Sequence, residues 1–137
     1  MPILQETLSL DDAELVLRMA TGKADELGVA SSIAVVDVGG HLIAFRRQDG
    51  AMIGTVELAV NKAFSARIFD NGTETLAVFA QPGAELYGIQ HSHGGRGVIF
   101  GGGLPIRSNG KIIGAVGVSG GTVAQDVAIA GAAASAI

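Results

Sequence analysis

The stretch that decides the fold is LPIRSNGKIIGAVGV, residues 104–118, in which two apolar runs flank an Asn-Gly pair. Asn109 and Gly110 both tolerate a positive φ, as the two central residues of a type I′ turn must, so the stretch predicts a tight β-hairpin. Directly after it, Thr122-Val123-Ala124-Gln125 has the pattern of a capping box, which predicts the start of a helix. The end of the chain is therefore expected to run strand, turn, strand, helix.

The sequence before this stretch predicts a second hairpin and further helices. β-Branched residues dominate 33–38, and a glycine pair separates them from a second apolar run at 41–47, which predicts another hairpin. Apolar spacing and cap residues predict helices over 9–28, 55–69 and 73–80, and a further strand is expected near 98–100. Helices alternating with hairpins predict an α+β fold in helix–sheet–helix layers, formed by one domain over residues 1–137.

Composition restricts the function classes. The net charge is −4, only 4% of the 137 residues are aromatic and no basic run occurs, so nucleic-acid binding is not expected. The absence of cysteine excludes disulfides and thiolate metal sites. No apolar run reaches ~20 residues and no signal-peptide pattern is present, so a cytoplasmic protein without a membrane span is expected. Only 16% of residues are charged and 21 are glycine, which favours either subunit contacts or simply a small Ala/Gly-rich domain.

Four residues at the end of the last predicted strand form a candidate anion site. In Ser119-Gly120-Gly121-Thr122 the chain turns from strand into helix, and a helix start presents free N–H groups and a partial positive charge. A carboxylate, a phosphate or a haem propionate would be stabilised there. The alternative is a tight corner that needs glycine only for close packing.

The remaining candidate site residues have cationic or imidazole side chains. Lys62 lies in an Ala-rich helix segment, where a solvated surface lysine is the simpler interpretation. Arg46 and Arg47 end a strand and must point to opposite faces, with Asp49 as a candidate partner. His91 and His93, two apart in an expected extended segment, would face one side and could both reach a metal or haem iron. A flexible loop without a ligand is the alternative for these histidines.

Taken together, these motifs resemble the GlcG/HbpS-like family, also called the haem-degrading domain family, from about residue 10 to the end of the chain. The segments that carry the resemblance are VVDVGGHL (35–42), RQDGA (47–51), AVNKAFSA (59–66), GGLPI (102–106), IGAVGVSGG (113–121) and QD (125–126). The chain departs from the family pattern at Gln48, where methionine is common, and at Ser65, where threonine is common.

The resemblance implies a profilin-like fold with a five-stranded antiparallel sheet, and assembly into dimers or larger oligomers. Some members of the family bind haem at a subunit contact, so haem is the cofactor that the resemblance implies. It also implies that Arg47, Lys62 and the corner at 119–122 share one anion pocket. His91 or His93 is the expected iron ligand if haem binds.

Two functions remain open at this stage. The first is an oligomeric binder of haem or a similar small anionic ligand in a subunit-interface pocket. The second is a small enzyme that acts on an organic acid or an aromatic ring-cleavage intermediate by proton transfer, as an isomerase, a tautomerase or a hydrolytic deaminase does, with Lys62 as its acid or base. No nucleophile elbow, Walker loop, zinc-protease motif or dinucleotide fingerprint favours a different enzyme class.

Overall fold

The computed structural model describes residues 1–137, which form four α-helices, four β-strands and two short 3₁₀ turns. In chain order these are α1 (Leu10–Leu27), β1 (Ser32–Asp37), β2 (Leu42–Arg47), α2 (Thr55–Ile68), α3 (Thr73–Phe79), the 3₁₀ turns Ile89–His91 and His93–Gly95, β3 (Gly103–Ser108), β4 (Lys111–Ser119) and α4 (Val123–Ala134).

The helix ends follow the sequence signals. The Ser9 side chain accepts a hydrogen bond from the Asp12 N–H at the start of α1, and Gly28 ends that helix in the left-handed conformation. At the start of α4, Thr122 and Gln125 form a reciprocal capping box. These predicted boundaries are confirmed.

All strand pairs in the sheet are antiparallel, in the order β2-β1-β4-β3. The predicted type I′ hairpin joins β3 to β4, with positive φ at both Asn109 and Gly110. Helices α1 and α4 pack together on one face of the sheet, and α2 packs on the other. The antiparallel α+β layering is thus confirmed.

Close packing of α2 on the sheet depends on small residues. Ala59, Ala63 and Ala66 of α2 are fully buried against the alanines and valines of β1 and β4. At Gly117 of β4, a Cβ atom would overlap the Ala59 carbonyl oxygen. The helix backbone therefore lies so close to the sheet that only glycine fits at this position.

The sheet has four strands rather than the five that the resemblance implied, and the strand expected near 98–100 is not formed. The Val98 N–H donates to the Ser65 hydroxyl of α2 instead of to a neighbouring strand. The backbone of this segment is held by a helix side chain, so it does not join a ladder.

The prediction that the chain around the two histidines is extended is also wrong. His91 and His93 lie in successive 3₁₀ turns, and His93 itself has a φ of 53°. Glycines with positive φ at 88, 94 and 95 favour this tight winding over an extended chain. The argument that the two imidazoles face one side because of strand alternation therefore does not hold.

None of the helices is both long and apolar enough to cross a membrane.

Candidate functional site

Lys62 is the most unusual polar residue of the molecule, because it is the largest fully buried side chain. Its ammonium group donates to the Val118 carbonyl oxygen at 2.8 Å and to Oδ2 of Asp126 at 3.1 Å. The prediction that Lys62 is a solvated surface lysine is therefore wrong. In α2, Lys62 lies three residues after Ala59 and four before Ala66, so it shares the buried face of the helix.

Asp126 joins this ammonium to the corner where β4 meets α4. Its side chain is 4% exposed, and its second oxygen, Oδ1, accepts the Gly121 N–H at 2.9 Å. The ion pair therefore connects α2 on one face of the sheet to α4 on the other. Burial lowers the pKa of the Lys62 ammonium from its ordinary value, and the Asp126 carboxylate opposes this shift.

Phe100 and two of the three glycines that follow it pack closely around Lys62. The Nζ atom of Lys62 lies 5.0 Å from the centre of the Phe100 ring, a cation–π contact. At Gly102, which has a φ of 128°, a Cβ atom would come within 2.7 Å of Nζ, and at Gly103 it would overlap the Lys62 carbonyl oxygen. Gly102 and Gly103 are thus explained by close packing around a buried lysine, whereas a Cβ atom at Gly101 would overlap the Val127 side chain of α4.

A surface cavity of about 310 Å³ opens beside this pair. Its walls comprise the expected corner residues Ser119, Gly120 and Gly121, together with Asp126 and Phe100. The remaining lining residues are Met52, Gly54, Thr55, Leu58 and Val123. The corner and the buried pair therefore border one cavity, and Phe100 and Asp126 lie between that cavity and the lysine.

The corner already carries an internal anion. The Gly121 N–H donates to Asp126, and the Thr122 N–H donates to the side chain of Gln125. The helix start that was predicted to hold a ligand anion thus has a carboxylate of its own. Asp126 is the functional candidate that sequence reasoning missed, although an acidic residue in the first turn of a helix, where the dipole favours it, was a usable signal.

Arg47 lies on the same sheet face as Ser119 but apart from it. The register pairs Ser32 with Ser119 on one side and with Arg47 on the other, so the three form one row. Arg47 is exposed and forms neither a side-chain hydrogen bond nor a salt bridge, and its predecessor Arg46 donates to the Thr21 hydroxyl. With strands about 4.8 Å apart, the Arg47 backbone lies ~10 Å from that of Ser119. Asp49 pairs with neither arginine.

The two candidate histidines have different surroundings. His91 is exposed at the end of its 3₁₀ turn, and no hydrogen bond engages its side chain. The His93 ring lies edge-on to Phe64 and Phe69 of α2, with centroid distances of 5.7 and 5.6 Å, and its Nδ1 is 3.0 Å from the Ser92 hydroxyl. No cluster of three or more His, Cys, Asp or Glu side chains could hold a bare metal ion.

Fold and site together define a small layered α+β domain in which a lysine–aspartate pair is buried beside a surface cavity. Residues 8–135 match the model of the family described as haem degrading protein HbpS-like. The chain belongs to this family, which confirms the resemblance seen in the sequence.

Three relatives illustrate how similar the family members are. A Citrobacter freundii protein, described as an uncharacterized 15.0 kDa protein in the dhaT-dhaS intergenic region, is 45% identical over 120 residues, covering 88% of this chain and 84% of the relative. The crystal structure of Klebsiella pneumoniae protein ORFY is 40% identical with a TM-score of 0.96, covering 98% of this chain and 93% of that one. A structure described as a PduOC:Heme complex is 37% identical with a TM-score of 0.91, covering 96% and 95%.

Proposed function

We propose that the chain binds haem or a similar small anionic ligand, as a homo-oligomer in which residues 1–137 form one domain. The observation that carries this proposal is the similarity to PduOC, whose structure is described as a haem complex and matches this chain over nearly its whole length. Membership of the HbpS-like family supports the same conclusion.

The residues of this chain offer a fitting donor set for haem. His91 presents an unengaged imidazole, which is a common axial ligand of haem iron. Its 3₁₀ turn begins at Ile89, which borders an apolar cavity of about 400 Å³. The other side chains that line this cavity are Phe69, Asn71, Leu76, Phe79, Glu85 and Leu86. A bound haem would supply an iron centre, and the imidazole of His91, two residues beyond the lining residue Ile89, would hold that iron.

A second copy of the chain would complete such a site. Val78 and Tyr87, which are next in sequence to the lining residues Phe79 and Leu86, are more than half exposed. A cavity open to one side covers only one face of a planar macrocycle, so the other face needs a partner. Apolar residues left exposed around the cavity would then be buried in the subunit contact. This arrangement is the proposed interface pocket.

Haem titration followed at the Soret band tests the proposal. The wild type should give a saturable Soret shift, and His91→Ala should weaken binding and move the band, since it removes the imidazole ligand. His93→Ala and the double variant separate a ligand role from the packing of His93 on Phe64. His41→Ala is the matched control, because His41 is also exposed but lies between β1 and β2.

Two results would contradict the proposal. One is a wild-type protein that gives no saturable Soret change. The other is a double histidine variant that binds haem with unchanged affinity and band position, which would remove both histidines from the site. Light scattering that gives a particle of 13.8 kDa, the mass of one chain, at micromolar concentration would contradict the oligomer.

The buried pair favours a second candidate, a proton-transfer enzyme acting on an organic acid or a ring-cleavage intermediate. A lysine whose pKa is lowered by burial is a suitable acid or base, and Asp126 places it beside the cavity at the corner 119–122. Exchange of carbon-bound protons for deuterium in a panel of small organic acids, followed by NMR, tests this candidate. Exchange should occur with the wild type and be lost in Lys62→Arg. A panel with no exchange above buffer would count against it.

A further inference from the structure

Lys62 occupies a position where an apolar residue would be the simpler choice. Replacing a buried ion pair by apolar residues of similar volume is often neutral or stabilising, so stability alone does not explain why a lysine lies here. Its amine nitrogen is held in a fixed position by the Val118 carbonyl and by Asp126. The third direction around the nitrogen faces the ring of Phe100. A buried amine that is fixed on two sides and covered by one ring on the third suggests chemistry at that nitrogen.

Phe100 is the only one of these neighbours that is able to move aside. It is 39% exposed, it borders the 310 Å³ cavity, and it stands immediately before the glycines at 101–103. The other two neighbours belong to the backbone of β4 and the first turn of α4. Rotation of the Phe100 side chain would therefore open a direct path from the cavity to the Nζ atom of Lys62.

The lining of the cavity indicates what kind of molecule would use this path. Met52, Leu58 and Val123 are apolar, and Thr55 and Ser119 supply hydroxyl groups. No arginine, lysine or histidine lines the cavity, whereas the Asp126 carboxylate does. A ligand carboxylate would lack a counter-charge and would face a like charge, so an uncharged molecule with a small polar group fits this cavity better than the organic acids of the proton-transfer candidate do.

We infer that Lys62 captures small uncharged aldehydes as a Schiff base, with Phe100 moving aside and Asp126 carrying the proton. The Nζ lone pair forms a bond to the carbonyl carbon while the C=O π bond breaks, and Asp126 passes a proton from nitrogen to the former carbonyl oxygen. Asp126 then passes the second nitrogen proton to the hydroxyl of this carbinolamine, which leaves as water while the C=N bond forms. The step consumes one aldehyde, releases one water and needs no oxidant or reductant.

The electrostatics of the site agree with this role. Only a neutral amine attacks a carbonyl group, and burial lowers the pKa of Lys62, which favours the neutral form. The role goes beyond haem binding, whose iron ligand is proposed above at the histidine turn. It shares Lys62 with the proton-transfer candidate, but it acts on a different class of substrate and leaves a covalent product.

The chain contains its own controls for the test, because its only lysines are Lys23, Lys62 and Lys111. The folded wild type is incubated with propionaldehyde and sodium cyanoborohydride near neutral pH, and the reduced adduct on each lysine is measured by peptide mass mapping. Adduct at Lys62 should saturate with aldehyde and exceed that at Lys23 by about tenfold or more, because burial lowers the pKa of Lys62 and so raises its neutral fraction. In urea the three lysines should react alike.

Variants distinguish reaction of Lys62 in the proposed site from the reaction of any solvent-exposed amine. Phe100→Ala should speed labelling of Lys62 and leave Lys23 and Lys111 unchanged, whereas Asp126→Asn should slow it. Circular dichroism establishes that each variant is folded, and the wild-type experiment does not depend on them. Labelling of Lys62 that is non-saturable or no faster than that of Lys23, in both the wild type and Phe100→Ala, would overturn the proposal. That failure would leave the haem titration and the deuterium-exchange test unaffected.

Discussion

Replacing Lys62 by methionine tests the central claim about the buried pair. Methionine has a similar length, so the change removes the charge and the hydrogen bonds while leaving little cavity. Two hydrogen bonds are lost, of 2.8 Å to the Val118 carbonyl and 3.1 Å to Asp126, whose side chain is only 4% exposed. Asp126 keeps only the Gly121 N–H as a partner for its negative charge.

The expected loss follows from that stranded carboxylate. Breaking a buried ion pair by removing one partner costs about 3–5 kcal/mol, so the free energy of unfolding of Lys62→Met should fall by this amount. Adding Asp126→Asn removes the uncompensated charge and keeps an oxygen for the Gly121 N–H. The double variant should therefore recover about 2 kcal/mol or more of the loss, which is the sign of direct coupling between neighbours.

Urea unfolding followed by far-ultraviolet circular dichroism measures these differences, with equal slopes showing that the variants unfold alike. Lys23→Met is the matched control. Lys23 also pairs with a carboxylate, that of Glu26 at 3.3 Å, but this pair lies on the surface of α1 and should contribute no more than about 0.5 kcal/mol. A Lys62→Met variant within about 1 kcal/mol of the wild type, or a double variant less stable than the single one, would refute the buried pair.

Three further predictions concern stability. Because burial lowers the pKa of Lys62 below 10.5 in the folded state, the unfolded state binds more protons between the two pKa values. The free energy of unfolding of the wild type should therefore rise relative to Lys62→Met as the pH increases through the folded pKa toward 10.5, which urea titrations at several alkaline pH values check; a falling difference would contradict it. Gly117→Ala should prevent stable packing of α2 at a cost of ~3 kcal/mol or more, whereas Gly131→Ala, in a helix with open space around it, should stabilise by ~0.5–1 kcal/mol in the same assay. Thr122→Ala removes the side-chain half of the capping box and should cost about 1 kcal/mol, and an unchanged unfolding midpoint would contradict that role.

Local signals in the sequence predicted the structure correctly where they act within a few residues. The Asn109-Gly110 turn, the Ser9 and Thr122 caps and the Gly28 helix end all depend on side chains and dihedral angles close by in the chain, and the structure has each of them. The fifth strand and the extended histidine segment failed for a different reason. The backbone near residue 98 is held by the Ser65 side chain of α2, which sequence spacing does not reveal, and the histidine segment is wound by its positive-φ glycines and packed on Phe64.

The candidate site was predictable only in part, because its charges are far apart in sequence. Lys62 and Asp126 are separated by 64 residues, and nothing near either residue indicates that the other neutralises it. The glycines at 102 and 103 were visible in the sequence but unexplained, because what requires them is the close approach of the chain to Lys62. Alanines at 59 and 66 were the one local indication that Lys62 faces inward.

The proposed haem site and the buried lysine are connected through one short segment of chain. The Ser65 hydroxyl of α2 donates to the Arg96 carbonyl oxygen and accepts the Val98 N–H, while the Arg96 guanidinium lies 3.6 Å from the centre of the Phe64 ring. The histidine turns end just before this anchor, and Phe100 follows two residues after it. Any backbone change that accompanies movement of Phe100 therefore falls on the glycines that follow it, because the chain before it is anchored. A ligand held at the histidine turn would influence Lys62 by displacing the anchor at Ser65 or by shifting His93, whose ring packs on Phe64 and Phe69 of α2. The two sites are therefore expected to act independently while both contacts are intact.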